Sequence, residues 1–284
     1  MRYRRLGERG REIPVACTDD GTFDLRPLTE DLDGAFLTRT EPALVHHEIG
    51  RGGLPVLSGA ERLRVGAPVA RPGKVVCIGL NYRDHARETG TQPPAEPVVF
   101  MKDPTTVVGP YDTVLIPRGS TKTDWEVELG VVIGAQARYL DDPDHAASCV
   151  GGYVISHDVS ERAFQLERGG QWDKGKSCET FNPLGPELVT PEEVPDVQAL
   201  EVGLAVNGVV RQKSSTAEML FGVHHLVWYL SQFMVLNPGD LINTGTPAGV
   251  GLGTPGEPYL RPGDEVELWI DGLGRARQRF EAAP

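Results

Sequence analysis

Cysteine is scarce. Four residues in 284, Cys17, Cys77, Cys149 and Cys178, lie far apart and form no Cys-x-x-Cys pair. That excludes a zinc knuckle or disulfide framework and predicts reduced thiols in a cytoplasmic setting. No apolar stretch approaches the ~20 residues that span a bilayer. The opening Met1-Arg2-Tyr3-Arg4-Arg5-Leu6 is positive but lacks the apolar run of a secretory signal, so no membrane partner or export is expected. Basic residues are in deficit: 28 Lys and Arg against 40 Asp and Glu give a formal net charge of -12. A nucleic-acid partner, which needs a basic face, is therefore not expected. There is no G-x-S-x-G elbow to support a nucleophilic serine, and no repeat or low-complexity tract.

What is present describes a globular protein, with 39% hydrophobic and 24% charged residues. Residues 1–70 read as a small, weakly patterned N-terminal domain, closed by the Pro- and Gly-rich Gly66–Gly73 linker. Residues 74–284 read as the larger domain. Its strand candidates include Lys74–Gly79, Val98–Met101, Asp112–Pro117 and Tyr153–His157, with a hairpin turning at Asp271-Gly272. One long helix is predicted from Thr216 to Val235, opened by Ser215 and Glu218 at capping-box spacing. Many strands and few helices indicate an α+β fold on strongly bent sheets.

The chemistry collects around Asp124-Trp125-Glu126-Val127-Glu128-Leu129. Side chains two apart on a strand share a face, about 7 Å apart, so Glu126 and Glu128 lie side by side while Val127 and Leu129 face a core. Two like charges on a buried strand need a positive partner, and a hard divalent cation suits carboxylate oxygens; the other reading is an edge strand whose glutamates face water. Asp158, at the end of a strand-like run, would complete a three-carboxylate site, and Lys176 is the candidate cation beside it. His85 and Glu88, three apart on a short helix, form either a surface pair or an acid-base dyad in which Glu88 orients the imidazole. The loop Arg168–Trp172, with Gln171, mixes donors with an aromatic, as substrate-gripping loops do. Gly251, Gly253 and Gly256 make a literal G-x-G-x-x-G, but no β-α-β unit surrounds them, so a dinucleotide reading fails. The stretch reads instead as a tight loop whose amides and Thr246 hydroxyl approach a small anion.

Taken together, these pieces resemble the fumarylacetoacetate hydrolase superfamily. The matching residues are Gly79–Tyr82 with His85 and Glu88, Trp125–Gly130, Asp158–Arg162, Gly175–Ser177 and Asn243–Pro247. The resemblance implies a mixed β-sheet roll, usually in a homodimer. It implies Mg2+ or Mn2+ at Glu126, Glu128 and Asp158, a His85-Glu88 dyad on a lid and an electrophilic Lys176, with Arg162, Gln171 and Thr246 toward the substrate. The expected activity is hydrolysis of a C–C bond in a 2,4-dioxo acid, yielding pyruvate and a second acid. The runs from Ile116 to Glu128, Ser160 to Gln165 and Gly170 to Trp172 look most like bacterial members acting on 2,4-diketo-3-deoxy sugar acids. Oxaloacetate decarboxylation, hydroxymuconate-type isomerisation, a ureidoglycolate lyase and a non-catalytic binding protein are the alternatives. His157 departs from the Asn that such relatives commonly place before the metal-binding Asp.

Overall fold

In a computed structural model, residues 1–90, 92–256 and 258–284 are described. The strands that matter here are β1 (Arg2–Leu6), β2 (Ile13–Thr18), β3 (Gly21–Asp24), β4 (Val75–Gly79), β5 (Val98–Lys102), β6 (Val114–Ile116) and β7 (Val127–Ile133). They continue as β8 (Val150–His157), β9 (Leu188–Val189), β10 (Glu201–Val206), β11 (Val209–Ser215), β12 (Leu241–Asn243), β13 (Glu265–Ile270) and β14 (Gly274–Ala282). The helices are α1 (Arg83–Thr89), α2 (Arg162–Leu166), α3 (Asp173–Lys176) and α4 (Val223–Ser231).

A ten-stranded mixed sheet runs β3-β2-β1-β9-β8-β7-β12-β4-β5, with the two-residue strand Val65–Gly66 pairing β1. A five-stranded sheet runs β11-β10-β13-β14-β6. This is the expected α+β arrangement. The first three strands extend the large sheet, because β1 pairs antiparallel with β9 at Arg2↔Val189. The four cysteines are free thiols. Among the described residues no helix is long and apolar enough to cross a membrane.

Strand β7 is buried along its whole length. Its alternation assigns each face a task. Val127, Leu129, Val131 and Ile133 enter the core shared with Leu204, Val266 and Leu268 of the second sheet. Val132 faces the other way, into the core beneath the N-terminal strands. At the open end of that second face stand Glu126 and Glu128. Glu128 is 2% exposed, so the solvated-edge reading does not hold. Antiparallel pairing of β7 with β8 aligns Glu128 with Ser156, and Asp158 N donates to Glu126 O at 3.0 Å. Register alone therefore delivers Asp158 to the two glutamates.

The long helix predicted from Thr216 to Val235 is two pieces. Ser215 caps a single 3-10 turn, Thr216–Glu218, and α4 begins only at Val223. Asn81 causes the break. Its Oδ1 accepts from Phe221 N at 2.9 Å, its Nδ2 donates to Phe221 O at 3.1 Å, and its backbone carbonyl accepts from Leu220 N at 2.7 Å. Backbone groups that a continuous helix would pair internally are thus satisfied sideways. Phe233, expected on the apolar face, lies beyond α4 and is 65% exposed.

Because Leu129 is fully buried between the sheets, Leu129→Ala should cost about 2–5 kcal/mol in unfolding free energy. Urea denaturation followed by fluorescence would check this; a loss below ~1 kcal/mol would mean that the site collapses around the gap.

Candidate active site

A cavity of about 240 Å³ opens where β4, β5 and β7 end. Glu126, Glu128, Lys176, Arg162, His85 and Thr246 line it. One oxygen from each of Glu126, Glu128 and Asp158 lies within 4.8 Å of the others, and all three residues are buried.

The cations distribute unevenly over these acids. Lys176, on α3 rather than in a loop, donates from Nζ to Glu126 Oε2 at 2.8 Å and Asp158 Oδ2 at 2.9 Å. Lys102, at the end of β5, donates to Asp158 Oδ1 at 2.5 Å and to Val159 O at 3.0 Å. Arg162 reaches Glu126 Oε1 at 2.7 Å, Asp124 Oδ2 at 2.8 Å and Gln165 Oε1 at 3.0 Å. Glu128 receives only the Gly245 amide, at 2.8 Å, and no cation contacts it among the described residues. Four buried carboxylates thus face three cations, and the surplus falls on Glu128.

Proton affinities follow that imbalance. Burial alone would raise the Glu126 carboxyl, but Lys176 and then Arg162 hold it down to about 2. Burial pushes Glu128 well above the usual carboxylate range, with Asp158 and Glu126 adding repulsion. A divalent cation suits this donor set: hard, anionic oxygens converge, and one of them has no counter-charge.

Helix α1 carries the expected dyad. His85 Nδ1 lies 3.2 Å from Glu88 Oε2. Burial raises the Glu88 carboxyl, but its hydrogen bonds with His85 and the Gly249 amide leave it below its ordinary value. Asp84 accepts from His85 N at 2.8 Å and from Ser214 Oγ at 2.5 Å, and Arg83 donates to the carbonyls of Ala217 and Met219. The short helix is pinned along its length.

Two groups expected to face a ligand are engaged within the protein. The glycine-rich loop does bind anions through its amides, but they are the protein's own: Gly245 N on Glu128, Gly249 N on Glu88, and Gly251 N and Leu252 N on Asp124. Glycine is required by the close approach, since a Cβ on Gly251 would stand 2.6 Å from Asp124 Oδ1. The Thr246 hydroxyl lines the cavity, yet it donates to Val127 O and accepts from Gln212 Nε2, so its proton is spent within the protein. Gln171 is exposed, binds Asp173 Oδ2 and does not reach the cavity wall. Gln165 is there instead, with its amide oxygen fixed by Arg162.

His157 turns to the core face, where Nδ1 meets Gln278 Oε1 at 2.9 Å and the ring packs edge-on to Phe280. Burial lowers its pKa to about 4, so it is neutral at pH 7.

Lys102, Asp124 and Gln165 were not singled out from the sequence. Asp124 was readable in principle, as the first of three acids at alternate positions. Lys102 had only its place at the end of an apolar strand as a signal.

A carboxyl whose folded pKa exceeds its unfolded value favours folding below its ordinary value, 4.5 for Glu128, and loses that advantage as pH rises through the folded value. Glu128→Gln should therefore raise the melting temperature of the metal-free protein at pH 7, by about 2–4 °C per kcal/mol relieved. The same change should abolish the further rise on adding millimolar Mn2+ that the unaltered protein is expected to show. Differential scanning calorimetry with and without metal reads both effects. A fall in the metal-free melting temperature would contradict the charge surplus placed on Glu128.

Known proteins resemble this chain over its whole length. Residues 74–281 match the fumarylacetoacetate (FAA) hydrolase C-terminal family. A Burkholderia multivorans protein bearing the name "putative hydrolase" is 48% identical over 285 residues, covering 100% of both chains. The structure of 5-carboxymethyl-2-hydroxymuconate delta-isomerase from Mycobacterium smegmatis is similar at TM-score 0.78, with 31% identity and 100% of both chains covered. So is that of maleylpyruvate hydrolase from Sphingobium sp. SYK-6, in complex with manganese(II) and pyruvate, at TM-score 0.81, 25% identity and 100% coverage of both chains. The chain belongs to the fumarylacetoacetate hydrolase family.

Proposed function

We propose that the protein is a metal-dependent hydrolase that cleaves a C–C bond in a 2,4-dioxo acid, an acylpyruvate or a 2,4-diketo-3-deoxy sugar acid. The observation that carries this reading is the convergence of a three-carboxylate cluster and a histidine with its own carboxylate partner at one cavity. Decarboxylation of oxaloacetate needs no activated water and would leave the dyad without a task.

Magnesium or manganese held by Glu126, Glu128 and Asp158 would supply Lewis acidity toward the carboxylate and 2-oxo oxygens of the substrate. The remaining work belongs to the chain. Glu88 fixes the proton of His85 on Nδ1, so that Nε2 is the nitrogen that takes a proton from water. Hydroxide adds to the 4-oxo carbon, and the bond between carbons 3 and 4 breaks. Its electron pair passes to the pyruvate fragment as an enolate, which is then protonated at carbon 3. Water is thereby divided between the released acid and pyruvate. Lys176, with Nζ among the carboxylates and at the cavity wall, offsets the charge developing on the enolate oxygen. Lys102 and Arg162 hold Asp158 and Glu126 in place. The reading includes a cytoplasmic homodimer, as the family resemblance implies.

The resemblance to an isomerase structure favours one second reading, proton transfer within a hydroxymuconate-type diene, which would use His85 without hydrolysis.

Product analysis with an acylpyruvate, a diketo-deoxy sugar acid and oxaloacetate tests the proposal. Pyruvate and a carboxylic acid should form from a dioxo acid, and chelation should stop the reaction. His85→Ala should lower that hydrolysis by about 100-fold or more while preserving the metal-dependent rise in melting temperature. Full hydrolysis by His85→Ala would place the base elsewhere. Pyruvate and carbon dioxide from oxaloacetate alone would replace the hydrolase by a decarboxylase.

A further inference from the structure

The polar groups of the cavity are nearly all engaged within the protein. Lys176 sits on two carboxylates, and each nitrogen of Arg162 has a partner in Asp124, Glu126 or Gln165. The Thr246 hydroxyl proton is on Val127 O. Among the described residues lining the cavity, Gln165 retains a side-chain amide N–H group with no protein acceptor.

The remaining wall is apolar and aromatic: Ile78, Leu80, Phe100, Leu166, Leu252 and Trp172, whose indole N–H is the polar side-chain group among them. It begins at Lys176, whose Nζ lies 5.0 Å from the Phe100 ring centre. Phe100 packs edge-to-face on Trp172 at 5.4 Å. Trp172 in turn closes on Gly79, where an added Cβ would meet the indole Cζ3 at 2.7 Å. Leu166, at the end of α2, is 44% exposed and gives the cavity an apolar rim.

We infer that the acyl group this site accepts is uncharged hydrocarbon, so that its substrates are 2,4-dioxo acids with an alkyl or aryl tail and a single carboxylate. This rests on the hydrolase reading and narrows it. A sugar-acid tail brings several hydroxyls, each of which loses water on entry, and the Gln165 amide and the Trp172 indole N–H are too few to satisfy them all. A second carboxylate fails on charge. Apart from the His85-Glu88 pair, four carboxylates face three cations. A divalent metal leaves one positive charge over, and the substrate's head carboxylate uses it. A carboxylate on the tail would be buried without a counter-charge. The sugar-acid preference suggested by local sequence likeness therefore gives way to an apolar tail.

Two oxamates test the inference without turnover, because both carry the 2-oxo acid head and differ only at the end of a four-carbon tail. Isothermal titration of the Mg2+-loaded protein should show N-butyl oxamate binding at least ten-fold more tightly than N-(3-carboxypropyl) oxamate. Leu166→Arg should narrow that gap by supplying a cation at the rim. In parallel, kcat/KM should be at least ten-fold higher for an alkyl acylpyruvate than for its terminally carboxylated counterpart or a diketo-deoxy sugar acid. Equal or reversed preferences in titration would overturn the inference, as would failure of both oxamates to bind. Preferential hydrolysis of the carboxylated or sugar substrate would overturn it while leaving the hydrolase standing. The expected binding order without hydrolysis of any dioxo acid would overturn the hydrolase and keep the tail preference.

Discussion

Everything at this site depends on a charge imbalance held in a dry place. The β7–β8 pair presents acids where a sheet would ordinarily present apolar side chains, and desolvating them is costly. Lys102, Lys176 and Arg162 offset most of the cost for Asp158, Glu126 and Asp124, but Glu128 is left with one backbone amide. A fully compensated cluster would be an inert buried salt-bridge network. One charge short, it suits a divalent cation, and the unfavourable interaction is what leaves that place open.

The surroundings follow from that constraint. Positioning three acids to within 4.8 Å requires rigid support, and two adjacent strands with fixed register supply it. The glycine-rich loop adds backbone amides, which solvate carboxylates without introducing further charge. It also ties the pieces together, since one loop contacts Glu128, Glu88 and Asp124. The strand of paired glutamates, the dyad helix and the arginine wall are therefore referenced to a single segment of backbone.

The sequence revealed what period and residue type encode. Alternation on β7 predicted the paired glutamates and their buried back face, and the i, i+3 spacing predicted the contact between His85 and Glu88. It misled where a distant side chain decides the local outcome. The helix from Thr216 was broken by Asn81, some 140 residues earlier, whose amide satisfies the backbone at Phe221. Thr246 and Gln171 have suitable chemistry, and each also binds within the protein, to the Val127 carbonyl and the nearby Asp173. Lys102 was hidden because its importance comes from a tertiary neighbour, Asp158, that no local pattern announces.

Ile78 and Phe100 of the apolar wall stand on the same sheet as the acids, but the rest of it has a different architectural origin. Leu166 and Leu252 belong to short helical turns, and Trp172 stands just before α3. None of the three is a sheet residue. Substitutions there need not disturb strand register, the three clustered acids or the two cores. The molecule thus carries its acids on strands and part of its apolar rim on connecting turns, so the shape of the cavity mouth can change while the spacing of the carboxylates stays as strand register sets it.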